Sequence, residues 1–154
     1  MRILYICTHN RCRSILSEAI TNHRANAKIE AKSAGSQPAY EVHPLSLKYL
    51  SEAGIATNSL QSQSWDDFAT FAPDIVITVC DSAASETCPV WFGNTLKVHW
   101  GLADPSKLSG SEREVAEAFR QTIAIIEDRV DALLALTQLD KTQWPQALRN
   151  LGAH

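Results

Sequence analysis

A short apolar run that leads directly into a polar loop constrains this chain more than any other feature. Residues 3–6 are apolar, and Cys7 is followed by Thr-His-Asn-Arg-Cys-Arg-Ser, which ends at Ser14. A loop this short between a strand and a helix turns successive backbone N–H groups inward as an anion-binding nest. The helix N-terminus adds partial positive charge. The spacing therefore predicts a strand-loop-helix unit that holds a tetrahedral oxyanion in front of Cys7.

The residue types in this loop are those of thiolate chemistry. Arg13 offers a forked donor that matches oxyanion geometry, and Ser14 is able to hydrogen-bond the sulfur of Cys7. We expect these donors to lower the pKa of Cys7. The alternative is that Cys7 closes a buried strand while Arg13 lies on a solvated helix face. The residues expected to bind the oxyanion are Thr8, His9, Asn10, Arg11, Cys12, Arg13 and Ser14.

Length and charge limit the classes of function. The 154 residues suit a single catalytic domain, predicted at residues 1–140, with residues 141–154 as a C-terminal tail of unknown role. The net charge is −3 with both signs dispersed, which disfavours a nucleic-acid or membrane footprint. The sequence has neither a signal-peptide pattern nor an apolar run that spans a bilayer. We therefore expect a cytoplasmic protein.

Short apolar runs alternate with helical patterns along the chain. The predicted strands are Arg2 to Ile6, Ile29 to Ser33, Asp74 to Val79 and Leu96 to His99. The predicted helices run from Ser14 to about Asn26, Pro44 to Ala53, near Ser64 to Phe71, and along a long amphipathic segment after Gly110. This alternation predicts an α/β fold with three layers and a central four-stranded parallel sheet. Ligands of such sheets bind beyond the C-terminal strand ends, where Cys7 lies.

Two further cysteines follow the third predicted strand. Cys80 comes at its end, and Cys88 precedes Pro89 after a stretch of small and polar residues. If the first and third strands are neighbours, Cys80 approaches Cys7, and the three sulfurs permit thiol exchange. Each cysteine could instead be a small buried hydrophobe. Zinc is a rival for the pair, but the spacing argues against it, and no metal is expected.

Asp104, near the end of the fourth predicted strand, is open to two interpretations. Asp104-Pro105 follows the fourth strand, where a carboxyl group suits proton donation to a leaving oxygen. The same dipeptide is ordinary turn chemistry, and only its pairing with the Cys7 loop favours the catalytic role. His43-Pro44 lacks the spacing of a metal site, and we expect it to be structural.

Together these segments resemble a known family. The order in which they occur is that of arsenate reductases built on the low-molecular-weight protein tyrosine phosphatase fold, a flavodoxin-like architecture. The resemblance implies reduction of arsenate to arsenite, with thioredoxin or glutathione and glutaredoxin as reductant, in a monomer without a cofactor. The segments that carry it are Cys7 to Ser14, Ser33-Ala34-Gly35, Val79-Cys80, Cys88-Pro89 and His99-Trp100-Gly101 through Asp104-Pro105.

The resemblance also implies a role for each catalytic residue. Cys7 is the nucleophile, Arg13 holds the oxyanion with the loop amides, and Asp104 is the general acid. Cys80 attacks the adduct on Cys7 and leaves a Cys7–Cys80 disulfide, and Cys88 then attacks Cys80. The rival hypotheses are a phosphatase that uses a phosphocysteine and a non-enzymatic protein that binds anions or metal. A phosphatase would leave Cys80 and Cys88 without a task.

Four positions can be compared with the family pattern. His9 stands where the family often has glycine, and Asn10 matches a residue that holds the loop, in a left-handed conformation that asparagine tolerates. Glu18 and Ser33 match positions that help to bind potassium in some members. The stretch 60–63, however, lacks the carboxylate found there, so no potassium ion is expected.

Overall fold

The structure is a computed structural model that describes residues 1–25, 27–80 and 95–152. Residues 151 and 152 are described by their backbone alone. The strands are β1 (Arg2–Ile6), β2 (Glu30–Ala34), β3 (Ile75–Thr78) and β4 (Leu96–His99). The helices are α1 (Arg13–Ala25), α2 (Pro44–Glu52), α3 (Glu112–Leu136) and α4 (Trp144–Gly152). Short 3₁₀ turns occur at Trp65–Phe68, Pro105–Lys107 and Lys141–Gln143.

Within the described residues, four parallel strands form one sheet in the order β2-β1-β3-β4. The chain steps outward from β1 to β2 on one side and to β3 on the other, so a topological switch point lies between β1 and β3. Ligands of doubly wound sheets bind at such a point, beyond the carboxyl ends of the strands. Ile6 pairs with Thr78. Cys7 therefore lies one residue beyond this last pair, and Cys80 lies two residues beyond it.

Both faces of the central strands are covered. Successive side chains of a strand point to opposite faces, yet Ile3, Leu4, Tyr5 and Ile6 of β1 are all buried. On one face the Tyr5 hydroxyl hydrogen-bonds Thr21 of α1 at 2.9 Å. Continuous burial of this kind is typical of a parallel sheet between two helical layers. The predicted α/β fold with a central parallel sheet is confirmed.

The boundaries of the elements differ from the predicted ones by small amounts, with one larger exception. Strand β2 is shifted by one residue, β3 is two residues shorter, and α1 begins at Arg13. The helix expected from Ser64 to Phe71 is only a 3₁₀ turn over Trp65–Phe68. Its first turn carries two aspartates and Ser64 caps it, which favours a helix start but gives too few residues for a stable helix.

The last two helices have clear local causes. Ser111 and Glu114 form a capping box at the start of α3, which satisfies two amides that have no partner within the helix. At residues 141–154, where we predicted no element, the structure has α4. Trp144 and Leu148 are buried in the core, and the Trp144 indole donates to the Leu136 carbonyl at 2.8 Å. No helix among the described residues has both the length and the apolar character needed to cross a bilayer.

Gly35, directly after β2, provides a test of how tightly the Cys7 loop is packed. A Cβ atom at this position would overlap the carbonyl oxygens of Cys7 and Thr8, which are backbone atoms that cannot rotate away. We expect Gly35→Ala to lower the free energy of unfolding in urea by about 1–3 kcal/mol. We also expect it to move the amide NMR signals of residues 7–14.

Gly54, at the end of α2, is the matched control. Its φ is +79°, and nothing lies within 4 Å of a Cβ built there, so alanine adds backbone strain without contact. Gly54→Ala should destabilise the fold and leave the signals of residues 7–14 in place. Unchanged loop signals in Gly35→Ala would contradict the close packing described here.

Candidate active site

The loop after β1 turns its carbonyl groups outward because neighbouring segments donate to them. Three backbone amides, at 2.9, 3.0 and 3.0 Å, reach three loop carbonyls: Gln37 to Thr8, Ala39 to His9 and His43 to Arg11. The C=O of one residue and the N–H of the next point in opposite directions across a trans peptide. The amides that follow these carbonyls, those of His9, Asn10 and Cys12, therefore face the inside of the loop, as a nest requires.

Asn10 holds the turn of this loop. It is fully buried and has φ +49°, the left-handed region that asparagine tolerates better than most residues. Its Oδ1 accepts the amide of Gln63 at 2.9 Å, and its Nδ2 donates to Ser14 Oγ at 2.8 Å. The predicted left-handed conformation is confirmed. Ser14, expected to hydrogen-bond the sulfur of Cys7, is hydrogen-bonded to Asn10 and stabilises the loop.

Cys7 and Cys80 lie side by side at the switch point. The two buried side chains share a hydrogen bond. The backbone amide of Thr8 also donates to Cys80 Sγ at 3.4 Å, and the Thr8 hydroxyl lies 3.7 Å from the same sulfur. The structure therefore brings together two thiols that are 73 positions apart in the sequence, because β1 and β3 are adjacent and end at the same edge.

The direction of the Cys7 pKa shift was predicted wrongly. The hydrogen bond with Cys80 and then burial raise the pKa of Cys7, while the charge of Arg13 and the Thr8 amide lower it by less. The donors in the loop can be identified from the sequence. The hydrogen bond with Cys80 and the extent to which Cys7 is buried depend on the folded structure. Strongly coupled thiols titrate as a pair. Loss of one proton leaves a thiol and a thiolate that share the remaining proton.

Arg13 and Asp104 face each other across the pocket. Arg13 Nη2 lies 3.7 Å from Asp104 Oδ2, and Arg13 Nη1 donates to the Leu102 carbonyl at 3.1 Å. Arg13 Nε is buried and has no hydrogen-bond partner among the described residues. Such an orphan donor is costly unless a ligand accepts from it. An anion that reached this nitrogen would satisfy it, and Arg13 lines the pocket in which such an anion would bind.

The two interpretations of Asp104 prove compatible. Its Oδ1 accepts the amide and the hydroxyl of Ser106 at 2.9 and 2.6 Å, which is the turn chemistry expected before Pro105. Its Oδ2 is the oxygen nearer Arg13. One carboxylate oxygen thus fixes the turn while the other faces Arg13 in the pocket lining.

The pocket combines predicted residues with three that sequence reasoning missed, namely His43, Ser106 and Lys107. Arg11, Arg13 and Lys107 bring positive charge to it. His9 lies at its exposed rim and donates from Nδ1 to the Gln37 carbonyl at 3.0 Å. Lys107 and His43 were not predicted in the pocket, although the position of His43 before a helical proline is a helix-cap signal. The lining comprises residues 7–13, His43, Cys80, Asp104, Ser106 and Lys107.

Cys12 and Cys88 complete the set of predicted site residues. Cys12 lines the pocket but its side chain packs in the hydrophobic cluster with α1, α2 and α3, and burial is the main cause that raises its pKa to about 11. Cys88 lies outside the described residues. No group of three or more metal-ligating side chains occurs in the part of the chain that the structure describes.

The potassium site of some relatives does not fit here. Ser33 Oγ donates to Glu18 Oε1 at 2.7 Å. Gln63 directs its amide Nε2 to the Ser33 carbonyl at 3.2 Å, which places a donor on an oxygen that a cation would need as a ligand. Burial raises the pKa of Glu18, which further disfavours a charged ligand. These residues complete their own hydrogen bonds without an ion.

The chain is similar in sequence and structure to proteins of known family. Residues 2–144 match the family described as low molecular weight phosphotyrosine protein phosphatase. An arsenate reductase of Halalkalibacterium halodurans is 33% identical over 128 residues, 83% of this chain and 91% of the relative. An arsenate reductase solved in a phosphate-binding state has a TM-score of 0.71 and 27% identity, covering 87% of this chain and 96% of its own.

A third similar protein carries information on the electron donor. It is the thioredoxin-dependent arsenate reductase of Corynebacterium glutamicum, with a TM-score of 0.67 and 31% identity. The match covers 89% of this chain and 61% of that one.

The pairing of the two thiols makes a prediction about acidity. Because the hydrogen bond with Cys80 is the largest cause that raises the pKa of Cys7, Cys80→Ala should lower it. The profile of Cys7 alkylation against pH should then move to lower pH, with faster reaction near neutrality. Cys12→Ala is the control, since Cys12 is not among the causes that shift Cys7. A profile unmoved by Cys80→Ala would contradict the coupling.

Proposed function

The chain belongs to the low molecular weight phosphotyrosine protein phosphatase family, and we propose that within it this protein is a thiol-dependent arsenate reductase. The observation that carries the proposal is the hydrogen bond between Cys7 and Cys80 beside the oxyanion pocket. Phosphoryl transfer needs one thiol, whereas the reduction of arsenic from the pentavalent to the trivalent state needs two electrons. Two thiols supply them when they form a disulfide.

The substrate is held before any bond changes. Arsenate sits in the loop, where the inward amides of His9, Asn10 and Cys12 donate to its oxygens. Arg13 adds its Nε, which lacks a partner among the described residues, and its positive charge. Charge-assisted bonds of this kind are stronger than neutral ones. The seat thus favours a tetrahedral dianion with arsenic in front of Cys7.

In the first step Cys7 Sγ attacks arsenic. A sulfur–arsenic bond forms and one arsenic–oxygen bond breaks, so arsenic keeps its oxidation state. The departing oxygen leaves as water after Asp104 donates a proton, and the proton that Cys7 loses restores the carboxyl group. The position of Asp104 Oδ2 opposite Arg13 supports this role.

In the second step Cys80 attacks Cys7 Sγ. The sulfur–sulfur bond forms, the sulfur–arsenic bond breaks, and its electron pair stays on arsenic, which leaves as arsenite. Cys7 and Cys80 are thereby oxidised to a disulfide. The Thr8 amide and hydroxyl, which both approach Cys80 Sγ, stabilise the attacking thiolate. Little movement is required because the two thiol groups are already hydrogen-bonded.

In the third step Cys88 attacks Cys80, which frees Cys7 and transfers the oxidised pair to Cys80 and Cys88. A dithiol or thiol reductant then restores the resting enzyme. We propose thioredoxin or the glutathione–glutaredoxin pair as the donor. The thioredoxin dependence of the similar Corynebacterium enzyme favours the former.

The different roles of the cysteines in the proposed reaction predict two kinds of defect. Cys7→Ser should abolish arsenate-dependent consumption of NADPH in a coupled assay, because no adduct forms. Cys80→Ser and Cys88→Ser should give at most a single turnover, measured as arsenite per enzyme. Cys12→Ser is the control and should turn over repeatedly. Sustained turnover by Cys80→Ser together with phosphate-ester hydrolysis would favour a phosphatase.

The identity of the reductant is tested separately. The assay is run with thioredoxin and its reductase, and in parallel with glutathione, glutaredoxin and glutathione reductase. We expect repeated turnover with thioredoxin and a much slower rate with glutaredoxin. The opposite ranking would reassign the donor without changing the steps at arsenic. Failure with both, while a strong dithiol such as dithiothreitol sustains turnover, would contradict both assignments of the natural donor.

A further inference from the structure

His43 connects the start of α2 to the oxyanion pocket. Its Nδ1 accepts the backbone amide of Leu45 at 3.1 Å and so caps the helix. Its backbone amide donates to the Arg11 carbonyl, one of the bonds that turn the loop carbonyls outward. The same residue lines the pocket. None of the proposed catalytic steps uses this side chain.

The cap fixes which nitrogen of the His43 ring carries the proton. Because Nδ1 accepts a hydrogen bond it is unprotonated, so in the neutral ring the proton resides on Nε2. Burial and then the charge of Arg11 lower the pKa of His43, while Asp104 raises it by less. The ring is therefore neutral near pH 7 and keeps one N–H donor that the helix does not use.

The second histidine of the pocket has the opposite arrangement. His9 Nδ1 lies 3.0 Å from the Gln37 carbonyl, and a carbonyl can only accept, so this nitrogen carries the proton. In the neutral ring of His9 the remaining nitrogen is an acceptor, unsuited to an anion. Of the two imidazoles, His43 is the one whose free nitrogen suits an oxyanion.

We propose that His43 is a specificity-determining residue whose Nε2–H donates a hydrogen bond to the oxyanion in the pocket. The inference rests on the proposed function in requiring that the pocket holds such an anion. The loop amides and Arg13 surround the anion from the β1 side, and His43 adds a neutral donor from α2. A donor favours charged arsenate over arsenous acid, which is uncharged near neutral pH, so the same contact favours substrate over product.

Two substitutions of His43 distinguish the function of Nδ1, which caps the helix, from that of Nε2, which is the proposed donor. Asparagine places a side-chain oxygen near the position of Nδ1, so His43→Asn keeps a good helix cap. Its Nδ2 donor is on a shorter side chain and does not reach the position of Nε2. Glutamine reaches the position of Nε2 with an N–H donor but is a poor cap. Ser111→Ala, which removes the cap of α3, is the matched control for loss of a cap away from the pocket.

The experiment titrates the full-length reduced protein with inorganic phosphate, an unreactive analogue, and follows the NMR signal of the Arg13 Nε–H group. We expect His43→Asn to weaken phosphate binding about tenfold at an unchanged melting temperature. His43→Gln should bind phosphate as the wild type does and melt about 2–4 °C lower. Ser111→Ala should also melt lower and bind phosphate normally.

Three other results of the phosphate titration would contradict the role proposed for His43. If the wild type binds phosphate and His43→Asn binds it equally well, the inference is wrong while the proposed function stands. Equal loss of affinity in the asparagine and glutamine variants also overturns it, since the ring shape rather than the donor would then matter. If the wild type shows no phosphate binding at the Arg13 signal, both the inference and the anion seat of the proposed function fail.

Discussion

The hydrogen bonds that turn the carbonyls of the Cys7 loop outward are the constraint on which the rest of the site depends. A nest of inward N–H groups is stable only if the opposite sides of the same peptides have partners. The segments after β2 provide these partners, and Asn10 supplies the left-handed turn between them. The loop is thus held by two other parts of the chain, residues 37–43 and Gln63, whose amide donates to Asn10.

The topology of the sheet then decides which chemistry this seat serves. A parallel sheet with β1 beside β3 brings the residues that follow both strands to one edge. In this chain those residues are cysteines. In the proposed reaction the first, Cys7, receives the anion. The second, Cys80, is hydrogen-bonded to Cys7 and held by the Thr8 amide. The same scaffold with one thiol suits phosphoryl transfer, so the second sulfur distinguishes a two-electron reaction from a hydrolytic one.

The sequence was informative wherever local pattern and strand order sufficed. The loop, the four strands and the approach of Cys80 to Cys7 follow from an apolar run, a short polar turn and the adjacency of strands. The sequence could not reveal quantities that depend on the assembled neighbourhood. The pKa of Cys7 rises because of a thiol 73 positions away. Helix α4 is stabilised by the burial of Trp144 and Leu148 in the core. Its short length and its composition do not predict a helix.

The hydrogen bonds between the Arg11 carbonyl and the start of α2 couple the loop to this helix. Two donors from this helix start, the His43 amide and the Ser46 hydroxyl, converge on the Arg11 carbonyl. Fraying of the first turn of α2 would release that carbonyl and loosen the loop. An occupied loop therefore resists such fraying, and local opening of the helix is coupled to occupancy. Changes at the surface of α2, remote from the sulfurs, thus have a route by which to tune how long an anion remains bound.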